Sequence, residues 1–179
     1  MGPVRVAVTG GPGAGKTSVL QRLQRQGHFI MPEVAREIIA ERKREGLSPR
    51  PQPLAFARAI LRRDIEQYRS VAGVKLVFFD RSILDALNML AELGQLAERE
   101  RQEWLEHYPY HATAFILPPW REIYRTDSQR DQSFEDAVRT FESLRKWYLE
   151  CGYTLLEVPP GTPEERCEFM LQILGLSGV

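Results

Sequence analysis

Mainly apolar residues run in short blocks at residues 4–9 (VRVAVT), 75–79 (KLVFF), 113–117 (TAFIL) and 154–158 (TLLEV). Blocks of this length, rich in β-branched and aromatic side chains, predict strands buried on both faces. A weaker block at 28–31 (HFIM) predicts one more. Between the blocks the apolar spacing lengthens to three and four: Val19, Leu20 and Leu23; Ala57, Ile60, Leu61, Ile65 and Tyr68; Leu84, Leu87 and Leu90; Phe134, Val138, Phe141, Leu144 and Tyr148. Each set covers one face of a helix.

Capping chemistry agrees with these boundaries. Ser133 with Asp136, and Thr162 with Glu165, fit the capping-box spacing, Pro163 sits where a first helical turn tolerates proline, and Gly152 marks a helix stop. The proline-rich run LSPRPQP at 47–53 reads as a loop between helices. Alternating strands and helices predict right-handed crossovers and an α/β three-layer sandwich around a mostly parallel, roughly five-stranded sheet. Ligands then bind beyond the carboxyl ends of the strands.

Composition narrows the setting. The chain has 179 residues, 43% hydrophobic and 27% charged, so a single domain over 1–179 is expected. Lys plus Arg equals Asp plus Glu at 24 each, which supplies no global field for nucleic acid or an anionic membrane. No apolar run is long enough for a membrane span or a signal peptide, and Cys151 and Cys167 lack metal-ligand spacing. A cytoplasmic protein is the expectation, with its oligomeric state open.

The first strand leads into GGPGAGKT, which fits G-x-x-x-x-G-K-[ST] at Gly10, Gly15, Lys16 and Thr17 between a strand and a helix. Small residues let the backbone wrap a phosphate, so Gly10, Gly11, Pro12, Gly13, Ala14, Gly15, Lys16, Thr17 and Ser18 are the nucleotide-binding candidates. Lys16 would neutralise β and γ oxygens, and the Thr17 hydroxyl suits Mg²⁺. Asp80 ends a buried strand and is the second metal candidate, its alternative being a helix cap. Arg81 and Asp85 follow as substrate-site candidates, whereas Asn88 and Glu92 read as a solvated face.

Two familiar uses of the loop are excluded. No aspartate is followed three residues later by glycine and the sole asparagine is Asn88, so a Ras-like GTPase lacks its switch and guanine motifs. An AAA+ motor needs a further helical domain. Phosphoryl transfer to a small acceptor is the leading reading. A plain NTPase, or a nucleotide-dependent switch with a protein or lipid partner, is left open. The missing guanine motif favours ATP without excluding GTP.

The acceptor side is sought in MPEVAREII, where Glu33 and Arg36 share a helix face; the carboxylate either accepts a hydroxyl proton or only pairs with Arg36. After the fourth strand, the polar segment about 118–133 carries Arg121, Arg125 and Arg130 and reads as a lid or as a charged surface loop. Arg125 and Arg130 are the pair expected to stabilise the transferring phosphoryl group. The turn EVPPGTPEER could contact a purine ring, and Arg58, Arg62 and Arg63 could receive an anion.

Taken in order, GGPGAGKTS, PEVAREI, LVFFDRSILDAL, LPPWREIYRTDSQRDQSFEDA and LLEVP resemble the NadR-like AAA-type P-loop family over nearly the whole chain. That family is similar to nicotinamide riboside kinase and nucleoside or nucleotide kinase domains. The resemblance implies ATP phosphates at 10–17, Mg²⁺ at Thr17 and Asp80, and Glu33 as acceptor-hydroxyl base. It also implies contacts from Arg36 or Arg81 to a nucleoside-like acceptor or to phosphate.

Overall fold

The computed structural model describes residues 2–49, 51–124 and 133–176. Five strands, β1 (Val4–Gly10), β2 (Phe29–Met31), β3 (Leu76–Asp80), β4 (Thr113–Leu117) and β5 (Thr154–Glu157), form one all-parallel sheet in the order β2-β3-β1-β4-β5. The helices are α1 (Lys16–Arg25), α2 (Val34–Arg44), α3 (Pro53–Ser70), α4 (Ile83–Glu92), α5 (Glu98–His107), α6 (Phe134–Glu150) and α7 (Pro163–Ile173). The expected α/β sandwich is the observed one.

Strand alternation sorts the core into two layers. Val6, Val8, Phe78, Phe115 and Leu117 pack towards α1 and α7. Ala7, Val77, Phe79, Ala114 and Ile116 pack on the opposite side, against α2, α3, α4 and α6. Because both faces are covered, these strands read as continuous apolar runs rather than alternating ones. The expected caps form at Ser133–Asp136 and Thr162–Glu165, and Gly152 takes φ 83° behind α6.

The helices that follow β1 and β3 leave towards opposite faces. The crevice between those neighbouring strands opens at their carboxyl ends, where glycine-rich loop 10–17 and Asp80-Arg81 sit side by side.

Two details differ from expectation. The apolar stripe of α6 runs through buried Ala137, and Val138 is 36% exposed. The start of α6 approaches the loop so closely that a Cβ on Gly11 would lie 2.6 Å from the Ala137 carbonyl oxygen, so glycine is required there. Helix α5 carries no fully buried residue, which is why no apolar period marks it.

Candidate active site

Glycine-rich loop 10–17 ends at Gly15, which takes φ 79° as the N-cap of α1 without a side-chain cap. The first-turn N–H groups of α1 therefore have no side-chain cap, and the turn itself carries no acidic residue, which leaves them as a site for anionic oxygens. Lys16 is 5% exposed and its Nζ contacts Asp80, with Glu33 3.9 Å away. The Thr17 hydroxyl lies 3.5 Å from Arg36 Nη2.

Glu33 caps the start of α2 and collects three cations. Arg36 Nε donates to it at 2.6 Å and Arg81 Nε at 3.0 Å, with Lys16 behind. Burial alone would push its carboxyl up, but Lys16, Arg81 and Arg36 together outweigh burial and hold it well below the usual range. Arg81 takes φ 71°, the sole positive φ at a non-glycine residue among the described residues. Its backbone N–H donates to Val8 at 2.9 Å, and its guanidinium bridges Glu33 and Asp85. Burial opposes its charge, yet Glu33, Asp85 and Asp80 raise its pKa further. An unusual backbone conformation at this point aims the side chain into the crevice.

Asp85 is more deeply built in than an exposed substrate contact would be. Thr9 Oγ1 and Arg81 Nη1 donate to Oδ1; Tyr148 donates to Oδ2 at 2.7 Å, and the Ser82 backbone N–H closes the capping box at 3.1 Å. Asp80 is not the cap of α4; Ser82 is. We expect Asp85→Ala to lower the unfolding free energy by about 3–5 kcal/mol, since Arg81 and two buried hydroxyls lose their common acceptor. Urea denaturation reads this directly, and a loss below about 1 kcal/mol would show that the network holds without its centre.

A cleft of ≈ 1300 Å³ extends both ways from this cluster. At one end loop 10–17 meets Trp120, Ile123, Gly161, Thr162, Pro163 and Arg166. The other end runs between α2, α3, α4 and α6, walled by Phe56, Ile60, Met89 and Leu144. Asn88 and Glu92 both line this end; of the two, Glu92 is exposed as expected, whereas Asn88 is buried under α6 and donates to Ser143, whose hydroxyl donates on to Glu92. Arg58 and Arg62 are exposed and Arg63 pairs with Glu41, so the expected anion receiver in α3 is not in the cleft.

From the expected lid, residues 118–124 and 133 are described, and Arg125 and Arg130 lie outside the described residues. Arg121 stands over the Phe134 ring at 4.3 Å rather than in the cleft. The Tyr124 ring lies 2.5 Å from where a Cβ on Gly13 would be, so this segment packs on the loop.

The sequence reading missed Arg166. It is 3% exposed, Nη1 donates to the Ala14 carbonyl at 3.0 Å, and Nε and Nη2 find no partner among the described residues. The signal available was its place on α7 just after the turn expected to meet a purine.

Thr17 and Asp80 offer a hydroxyl and a carboxylate oxygen beside the loop. No group of three or more His, Cys, Asp or Glu residues suited to a metal occurs among the described residues. That donor set fits Mg²⁺, which takes few protein ligands and keeps water and phosphate oxygens. No helix among the described residues is long and apolar enough to cross a membrane.

A model of the AAA domain family matches residues 5–166. No curated protein matches the sequence. Among solved structures the chain is similar to NadR in complex with NR, with 17% identity and a TM-score of 0.70, covering 99% of this chain and 52% of that one. It thus spans about half of the NadR chain. It is also similar to deoxyadenosine kinase from M. mycoides with bound dATP (15% identity, TM-score 0.57, 96% and 99% covered). Shikimate kinase from Aquifex aeolicus is a third relative in fold (20%, 0.56, 98% and 100%). At these identities the likeness is one of fold.

Proposed function

Because the chain belongs to the AAA domain family, we propose that its cleft transfers the γ-phosphoryl group of ATP to a hydroxyl or phosphate of a small, nucleoside-like acceptor. The observation that carries this reading is the position of Glu33, between Lys16 of the loop and the apolar-walled end of the cleft. The deoxyadenosine kinase and shikimate kinase neighbours support the same class, and NadR is a neighbour solved in complex with NR.

The loop amides and the uncapped start of α1 cradle the phosphates, and incoming oxygens draw Lys16 away from Asp80 and Glu33. Thr17 and Asp80 would hold Mg²⁺, whose charge then offsets that of the β and γ oxygens. With Lys16 withdrawn, Glu33 loses one of its three cations and becomes a better acceptor for the hydroxyl proton of the bound acceptor. Arg81 and Arg36 keep that carboxylate aimed. Trp120, Ile123 and Tyr124 cover the loop and limit water, which competes as acceptor.

Arg166 lines the loop end of the cleft and holds the Ala14 carbonyl through Nη1, while its buried Nε and Nη2 have no partner among the described residues, so it supports the loop that receives the nucleotide. Arg166→Ala should raise KM for ATP roughly tenfold or more, with kcat changed much less, as loss of a hydrogen bond from a charged donor predicts. An unchanged KM would remove Arg166 from the nucleotide site.

The reading is tested by incubating the protein with ATP, Mg²⁺ and a panel of nucleosides, ribosides, nucleoside monophosphates and shikimate, followed by separation of the products. A phosphorylated acceptor supports it; ADP and free phosphate alone, at a rate that no compound alters, favour the NTPase reading.

A further inference from the structure

Asp64 lies on α3 within the buried stripe, one turn after Ile60 and Leu61, and is 7% exposed. It lines the acceptor end of the cleft beside Ile60. Its Oδ2 is buried and has no hydrogen-bond partner among the described residues. The groups near enough to couple to it electrostatically are Asp85 from α4, Arg81 from the turn after β3, Glu33 from the start of α2, and the Tyr110 phenol from the approach to β4. Arg81 is the one cation of the group, and it already bridges the two other acids. A buried carboxyl in such company costs the fold free energy instead of stabilising it, so packing does not account for it.

We propose that Asp64 is the acceptor-recognition residue of the cleft, reading a planar ligand edge that carries a hydrogen-bond donor and acceptor side by side, as a carboxamide or an amidine does. Burial first, and then the like charges of Asp85 and Glu33, hold its carboxyl well above its ordinary value of 3.8. A protonated carboxyl offers O–H and C=O in one plane, which such an edge complements. Phe56 and Met89 supply apolar walls for the ring that bears it. That the edge belongs to the phosphoryl acceptor rests on the kinase reading; its binding does not require transfer.

The test is titration calorimetry on the full chain without nucleotide. Adenosine is compared with purine riboside, which lacks the 6-amino group, and nicotinamide riboside with its analogue lacking the carboxamide. In at least one pair the edge-bearing member should bind roughly tenfold tighter. Asp64→Asn, which keeps a donor and an acceptor, should retain that preference, and Asp64→Leu should abolish it. Equal affinities within both pairs, no binding by any of the four, or a preference that survives in Asp64→Leu overturns the inference.

Protein alone gives a second readout. Where the folded carboxyl holds a proton that the unfolded chain has released, stability falls as pH rises above about 3.8. Asp64→Asn removes that loss, so its melting temperature should exceed that of the unsubstituted protein at pH 8, with the gap closing towards pH 4. A lower melting temperature at pH 8 would make Asp64 a structural carboxylate and overturn the inference. Transfer to an acceptor without any Asp64-dependent preference would leave the kinase reading standing; Asp64-dependent binding without transfer would do the opposite.

Discussion

Lys16→Ala is expected to lose phosphoryl transfer by roughly 10²–10³-fold or more in kcat/KM while keeping the fold. Lys16 belongs to the loop itself, is 5% exposed and directs its ammonium at Asp80 and Glu33, from which incoming phosphate oxygens would draw it. Arg36 and Arg81 are committed to Glu33. The fold survives because Glu33 keeps both arginines and the backbone of loop 10–17 is set by glycines and by the packing of Tyr124 and Ala137. Lys16→Arg should rescue little, since a planar guanidinium does not substitute for a compact ammonium among these walls. Steady-state kinetics with circular dichroism on both variants decides it. Retained turnover in Lys16→Ala would remove the loop lysine from the chemistry.

Glu33→Gln should lower kcat by about 10²–10⁴-fold and leave ATP binding within a few-fold, the pattern for a base that acts on the acceptor. The amide keeps the shape of the carboxylate, but only its oxygen accepts, so it retains one of the two arginine contacts, and it cannot take a proton. In the free protein the Glu33 carboxylate is held below its usual range by Lys16, Arg81 and Arg36 against the opposing effect of burial. A depressed carboxyl is already ionised above its ordinary value of 4.5, so kcat/KM should show no acid limb from Glu33 between pH 5 and 8. A loss under tenfold in kcat would reduce Glu33 to a partner of the arginines.

What was legible in the sequence divides along a physical line. Loop 10–17 and Asp80 stand out as candidates because backbone wrapping and a strand end impose residue types at fixed spacings, whereas Glu33 is equally readable as a partner of Arg36 and becomes a base candidate only through the family resemblance. β1, β3 and β4 are readable because burial on both faces leaves them largely apolar, whereas the edge strand β5 has no buried residue in Thr154–Glu157, although TLLEV predicts a strand buried on both faces. Glu92 is exposed as its place on a polar stripe predicts, but Asn88 of the same stripe is buried under α6, because the stripe looks the same in sequence whether water or another helix covers it. Asp64 was overlooked although it sits at helical spacing from Ile60 and Leu61, where an acid inside an apolar stripe is itself a signal. Arg166 contacts Ala14 across 152 positions of chain, a separation that local pattern does not encode. Arg58, Arg62 and Arg63 could each receive an anion on sequence alone, but the face of α3 that packs inwards leaves Arg58 and Arg62 exposed and Arg63 paired with Glu41.

The measurement that bears most directly on the central claim follows γ-labelled ATP with Mg²⁺ in the presence and absence of a nucleoside or riboside acceptor. Label should leave ATP for the acceptor one-for-one with ADP formed, free phosphate should fall as acceptor is added, and Lys16→Ala should show neither. Label found only in free phosphate, at a rate indifferent to every acceptor, would contradict the account.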